Sequence, residues 1–262
     1  MTDEEKEEIK RQRRRVAGFM TALTFFTLLF IGASYLVSVV MTNYFSERTE
    51  GEKLIPVSGG EALSVVVIDP GHGGEDGGST SGEVLEKDLN LAEAKDVADI
   101  LRLIGIPVKM TRTEDRALYD LFGDLEDYTG KKKIYDLKNR VRFATEEDGV
   151  YLGIHMNKFP ESKYRGLQVY YSGNNDESAK FAKVIREEVA SGLQPWNGRE
   201  TKRATSAIFV LDRLRIPAVL VECGFISNAE DLAELTDPAY RARLAAVIAS
   251  AAAKYETESA AY

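Results

Sequence analysis

Between Arg15 and Glu47 the chain carries no charged side chain, and the stretch VAGFMTALTFFTLLFIGASYLVSVVM inside that interval exceeds the roughly 20 residues a helix needs to cross a bilayer. Phe25, Phe26, Leu28, Leu29, Phe30 and Ile31 run around every face of such a helix, which suits lipid rather than a one-sided protein core. The basic cluster ahead of it, Lys10, Arg11, Arg13, Arg14 and Arg15, predicts a cytoplasmic N-terminus and an extracytoplasmic remainder. A cleavable signal peptide shares the basic and apolar regions. The apolar run here is longer than the usual 7 to 15 residues, and no small-x-small site closes it. The expected organisation is therefore a basic cytoplasmic segment over 1–15, a transmembrane anchor over 16–45, a polar linker over 46–62 and one globular domain over 63–256.

The 262 residues, 44% of them apolar, suffice for one large α/β domain with appendages. A net charge of -8, more acidic still once the basic N-terminus is set aside, argues against a nucleic-acid or polyphosphate partner. The single cysteine, Cys223, cannot form an internal disulfide, so an exported domain must rely on its core. Its place in an apolar strand suits a buried thiol better than a nucleophile.

SVVVID (64–69), a Gly-rich loop (71–82), a helical stripe from Leu91 to Ile104 stopped by Gly105, and PVKMTR (107–112) make a β-loop-α-β unit, the sign of a parallel sheet. Residues 113–135 have weak periodicity and are expected to leave the sheet. KKK at 131–133 suits a solvated loop. Further strands are expected at 150–155, 166–172, 206–211 and 217–225, with helices over 136–147, 177–193 and two after Asn228.

His72 and His155 are the only histidines, and each is expected at the end of a buried strand. Glycines around His72 do not make a nucleotide loop: Asp76 stands where G-x-G-x-x-G needs its last glycine, and no GK[ST] follows. They allow the backbone to turn tightly beside a histidine instead. Strand ends of a parallel sheet meet along one edge, so His72 and His155 can converge there, with Glu86 brought back by the loop. Two imidazoles and a carboxylate form the His2Glu set of a catalytic zinc site. Glu222, also at a strand end, offers a general base outside that set. A solvent-facing glutamate is the competing reading, and spacing alone does not separate the two. Arg112, Arg140 and Arg165 are candidate carboxylate holders or surface pairs, and none is assigned.

The segments IDPGHGGEDGG, EKDLNL, TRTED, GIHMN and LVECGFISN, in that order, resemble the zinc-dependent N-acetylmuramoyl-L-alanine amidases of bacterial cell walls. The resemblance covers nearly all of 64–256. It implies a mixed, mostly parallel sheet flanked by helices on both faces, one Zn2+ held by His72, Glu86 and His155, a catalytic Glu222, and peptidoglycan as substrate. The domain over 63–256 would then be the catalytic one, and a wall-binding member without activity is the alternative. Met156 replaces the commoner Ser or Ala after the histidine, and strand alternation turns it away from the ligands. The basic anchor, short linker and YTGKKKIYDLKNRV are most similar to the germination-specific group of spore-forming bacteria. That implies a role in spore cortex, beside a deacetylase acting on its product, in the forespore intermembrane space. Division-associated members carry an extra helix that covers the zinc. Residues 173–205 leave little room for one here.

Overall fold

Val66, Val67 and Ile68 have no exposed surface, because the strand that holds them, β1 (Val66–Pro70), lies between two parallel neighbours with both faces covered. Runs of this kind are apolar throughout rather than alternating. The computed structural model describes residues 63–147 and 149–259 together with Met20. Apart from Met20, the anchor and linker expected from the sequence lie outside the described residues. Among those described, no helix is long and apolar enough to cross a membrane.

After β1 come the short strands β2 (Thr80–Ser81) and β3 (Val84–Leu85), then α1 (Glu86–Leu103), β4 (Val108–Met110) and α2 (Lys132–Glu147). Next are β5 (Val150–Asn157), β6 (Gln168–Tyr171), α3 (Glu177–Gly192), β7 (Lys202–Arg203) and α4 (Phe209–Arg213). The chain finishes with β8 (Ala218–Phe225), α5 (Ala229–Thr236) and α6 (Pro238–Ser259). The main sheet has the order β4-β1-β5-β8-β6-β7. Its first four strands are mutually parallel, and β6 runs antiparallel to β8 while pairing in parallel with β7. The expected mixed, mostly parallel sheet is what forms.

Helices α1, α3 and α6 cover one face. Leu89, Ala94, Val97, Ala98 and Leu101 form the buried stripe of α1, at helical spacing. Gly105 ends that helix at φ +85, a left-handed position where its amide and that of Ile106 close on Arg102 and Leu101 carbonyls. On α6, Ala245, Ala249 and Ala252 are fully buried against the same core, and Tyr255 stacks on Phe181 with ring centroids 4.6 Å apart. Cys223 belongs to this core as a free buried thiol. Met156 lies in it too, turned away from its neighbour His155 by strand alternation.

The opposite face is covered more thinly, by α2 and α4 over Val67, Tyr151, Ala218 and Leu220. Here the structure departs from expectation. SAIFVL (206–211) is not a strand: Phe209–Arg213 forms α4, and Val210, Leu211 and Leu214 pack on the sheet. A short apolar run is ambiguous between strand and helix. The place beside β6 is taken by Lys202–Arg203, with the Ala204 amide bonded to the Tyr171 carbonyl, so 206–213 is left to cover the face. Residues 173–205 supply one helix, α3, and it packs against α6 away from this face.

Candidate metal and catalytic site

His72 lies two residues beyond β1 and is the one non-glycine residue at positive φ (+61) among those described. A left-handed histidine is costly unless its surroundings impose it. Two buried arginines do so. Arg140, on α2, donates Nη1 to the Pro70 carbonyl (2.9 Å) and Nη2 to the His72 carbonyl (2.7 Å), and it pairs with Asp69 and Asp136. Arg112 donates to the Pro70 (3.0 Å), Gly71 (2.9 Å) and Lys87 (2.9 Å) carbonyls. The Asp115 carboxylate adds a bond from the Gly74 amide and another from Lys87 Nζ, both 2.7 Å. Neither Arg112 nor Arg140 is a surface pair or a free carboxylate holder. Arg165, the third unassigned arginine, is tied to Glu230 and Asp231 and stacks on Trp196.

The β2–β3 hairpin, which the sequence did not announce, turns at Gly82 (φ +58) and delivers Glu86 as the first residue of α1. Glu86 Oε2 accepts from the Ser79 amide at 2.7 Å, and Oε1 accepts from Asn90 Nδ2 and the Met156 amide at 3.3 Å. The same Oε1 lies 3.2 Å from His72 Nε2 and 3.2 Å from His155 Nδ1. His155 is within β5 rather than at its end. The two imidazole rings stand edge to face, with centroids 5.2 Å apart. One donor atom from each of His72, Glu86 and His155 falls within 4.8 Å of the other two. The structure thus brings together the two histidines, expected from strand ends, and Glu86, expected from the loop. Two glycines leave the space for it: a Cβ at Gly71 would run into the His155 ring, and one at Gly78 would stand 2.7 Å from Glu86 Oε2 and His72 Cδ2.

Glu222 sits on β8 in register with His155 on β5, so both face the cavity of about 290 Å³ that His72, Tyr151, Ile208 and Phe209 also line. It is not a solvent-facing glutamate. Its Oε2 is buried without a hydrogen-bond partner, and burial pushes the carboxyl up to about 7, with His155 and His72 opposing and Glu86 reinforcing. Glu86 behaves oppositely: burial would raise it, but the two imidazoles hold it well below the ordinary carboxylate range. For His72, burial works to lower the imidazole, and the Glu86 and Asp76 carboxylates outweigh it and hold the value above the usual one.

Asp76 is the residue that sequence reasoning passed over, noticed only for spoiling a nucleotide motif. Its Oδ2 lies 2.9 Å from His72 Nδ1 and also pairs with Lys133, while Lys132 pairs with Glu75. Burial raises Asp76 and the two cationic partners pull it down to about 2. The lysine run at 131–133 is solvated as expected, but Lys132 and Lys133 belong to the start of α2 rather than to a loop, and they reach the His72 loop. An acid four residues after the histidine, in a loop too glycine-rich to need it for packing, was the available signal. Asp69, fully buried under Tyr151, Thr111 and Arg140, was hidden because its partners come from three distant segments.

Residues 66–254 match the N-acetylmuramoyl-L-alanine amidase family. The chain is similar to the germination-specific N-acetylmuramoyl-L-alanine amidase of Bacillus subtilis (strain 168), 34% identical over 205 residues covering 78% of this chain and 83% of that one. Among solved structures it is similar to the CwlD amidase of Clostridioides difficile in complex with the GerS lipoprotein, at 33% identity and a TM-score of 0.69 over 74% of this chain and 99% of that one. It is also similar to the amidase AmiC2 of Nostoc punctiforme, at 32% identity and a TM-score of 0.61 over 73% and 96%.

Proposed function

The chain belongs to the N-acetylmuramoyl-L-alanine amidase family and is an amidase of peptidoglycan, and from that premise we propose that it works as a zinc enzyme with His72, Glu86 and His155 as ligands and Glu222 as catalytic base. The bond cut is the amide between the lactyl group of N-acetylmuramic acid and L-alanine. One observation carries the reading: three donor atoms converge beside a buried carboxylate oxygen that has no partner.

The donor set fits the ion. A tetrahedral zinc with bonds of roughly 2.0–2.2 Å keeps its ligand atoms about 3.3–3.6 Å apart. The two contacts to Glu86 Oε1 measure 3.2 Å, longer than charge-assisted hydrogen bonds of about 2.7–2.9 Å. When bound, zinc supplies the positive charge that acidifies a water and polarises the amide carbonyl. Asp76 fixes the His72 ring through Nδ1 and leaves Nε2 for the ion. Glu222, poised near neutrality, takes a proton from the attacking water and returns it to the departing alanine nitrogen. Ile208 and Phe209 form an apolar part of the cavity wall.

The apolar segment over 16–45 anchors the enzyme with 1–15 in the cytoplasm, 46–62 as linker and 63–256 as the catalytic domain beyond the membrane. Its similarity to a germination-specific amidase supports a role in spore cortex, where stem-peptide removal prepares muramic acid for a deacetylase and δ-lactam formation. The test is release of peptide from purified peptidoglycan by the full-length chain, with chelator, with zinc restored, and with Glu222→Gln. Chelation should abolish release and zinc restore it, while Glu222→Gln keeps the metal and loses about 10²-fold or more in rate. Equal release in all samples refutes the mechanism.

A further inference from the structure

The face of the sheet that carries His155 and Glu222 continues past them. Register pairs His155 with Glu222 across β5 and β8, Glu222 with Gln168 across β8 and β6, and Tyr170 with Lys202 across β6 and β7. Residues paired across a ladder, or two apart on one strand, share a face. Beyond the part of that face covered by α2 and α4, a second cavity of about 260 Å³ opens. Tyr164, Tyr170 and Phe225 form its walls, Gln168 its floor, and Arg199 and Lys202 its charged side.

Three features give this cavity a chemistry. No carboxylate lines it, in a chain whose net charge is -8. Arg199 lies over the Phe225 ring at 4.8 Å with its Nε on the Arg165 carbonyl, and Lys202 stands 6.0 Å from the Tyr170 ring. Among the described residues neither cation forms an ion pair with an acid, and Asp231 feels Arg199 only at longer range, so both can meet an anion. Gln168 commits Nε2 to the Glu200 and Val169 carbonyls and leaves a buried Oε1 unsatisfied, an acceptor that a peptide N–H satisfies.

We infer that this cavity is the subsite for the peptide arm beyond the scissile amide, and that Arg199 and Lys202 select an arm bearing a carboxylate. The inference rests on the amidase reading in one respect, the direction of the substrate. Glu222 hands its proton to the leaving nitrogen, so the departing peptide lies on the Glu222 side, and Gln168 is the next residue across the ladder. Tyr170 senses both groups: burial raises its phenol, the Glu222 carboxylate adds to that, and the Arg199 guanidinium opposes it. A volume at the small end of ligand pockets suits one or two residues of extended peptide rather than a folded partner.

The test uses the full-length chain in detergent micelles and two probes, L-alanyl-D-glutamate and its diamide, measured by titration calorimetry. The acid should bind about tenfold more tightly than the diamide at low salt, with the preference shrinking at high salt. Lys202→Gln, at an exposed edge position, should cut that preference about three- to tenfold, and Arg199→Gln likewise. With N-acetylmuramoyl-L-alanyl-D-glutamate as substrate, the same variants should raise KM by a similar factor with kcat nearly unchanged. Equal affinity of the parent for acid and diamide overturns the inference, as does an acid preference that survives both substitutions. If the acid preference depends on Lys202 but the parent releases no peptide from peptidoglycan, the subsite stands and the amidase mechanism falls.

Discussion

Glu93 should make the domain lose stability as pH rises, and replacing it should remove that loss. The side chain has no exposed surface, and neither carboxylate oxygen has a hydrogen-bond partner. It lies on the buried stripe of α1, between Asn90 and Val97. Burial, with Asp96 adding and Arg241 opposing, pushes its carboxyl from 4.5 up to about 8. The folded state thus holds a proton that the unfolded chain has released, and stability falls from the unfolded value upward until the folded value is passed. Each pH unit in that window is worth about 1.4 kcal/mol, so the cumulative loss is roughly 3 kcal/mol by pH 7 and about 5 kcal/mol by pH 9. Against a typical domain stability of about 5–15 kcal/mol this is a large share. Glu93→Gln keeps the shape and cannot ionise. Urea unfolding at pH 4.5, 7 and 9 should give similar midpoints for parent and variant at the lowest pH, and a variant more stable by kilocalories at the higher two. Glu222 titrates with the same sign, but it is present in both proteins and cancels in the difference. Parallel pH profiles for parent and variant would refute the reasoning.

Gly71→Ala should displace His155, because the added methyl enters the imidazole ring; metal content by mass spectrometry should drop well below one per chain while circular dichroism stays helical. Asp76→Asn removes the carboxylate that holds His72 Nδ1, and zinc affinity measured by chelator competition should fall about 10- to 100-fold. Arg140→Met leaves Asp69 and Asp136 buried without their cation, and thermal or urea unfolding should show a loss of about 3–5 kcal/mol. In the parent, the rate of peptide release should rise with pH on an acid limb set by Glu222 deprotonation; Glu222→Gln should flatten that limb, and an unchanged limb would remove Glu222 from the base role.

What the sequence disclosed, and what it withheld, follows the range of the forces involved. The buried strands SVVVID and PAVLVECGF and the stripe of α1 were legible because burial on a regular lattice leaves a periodic trace. His72, His155 and Glu222 were expected at strand ends and Glu86 in the loop before its helix; in the structure Glu86 opens that helix and His155 lies inside its strand. SAIFVL misled because five or six apolar residues fit a strand or a helix equally. Only the occupation of the β6 edge by Lys202–Arg203 decides between them, and that is a long-range fact. Arg112 and Arg140 were opaque for the same reason. The acceptors they reach at Pro70, Gly71 and His72 are main-chain carbonyls some forty to seventy residues away, and a carbonyl has no sequence signature.

That opacity bears on how the site is built. The His72 loop departs from the sheet at a left-handed residue, and a strained loop of glycines would ordinarily sample many conformations before a ligand ordered it. Here the ordering is done by charge from beneath. Arg140 and Arg112 together bind the carbonyls of Pro70, Gly71 and His72, the last three residues before the loop turns, while Asp115 and Lys87 hold Gly74. Asp69 and Asp136 neutralise Arg140 inside the core, so a buried cation can sit under the proposed metal site without unbalanced charge. Glu86 is fixed independently by the Ser79 and Met156 amides. His72 and Glu86 therefore reach their positions through contacts outside the proposed ligand set, which would limit the conformational entropy lost on binding an ion. The thin covering of α2 and α4 then has a clear consequence: the same helix whose Arg140 steadies the loop also leaves the sheet face beyond Glu222 open, and that opening is where the substrate's peptide arm has room to lie.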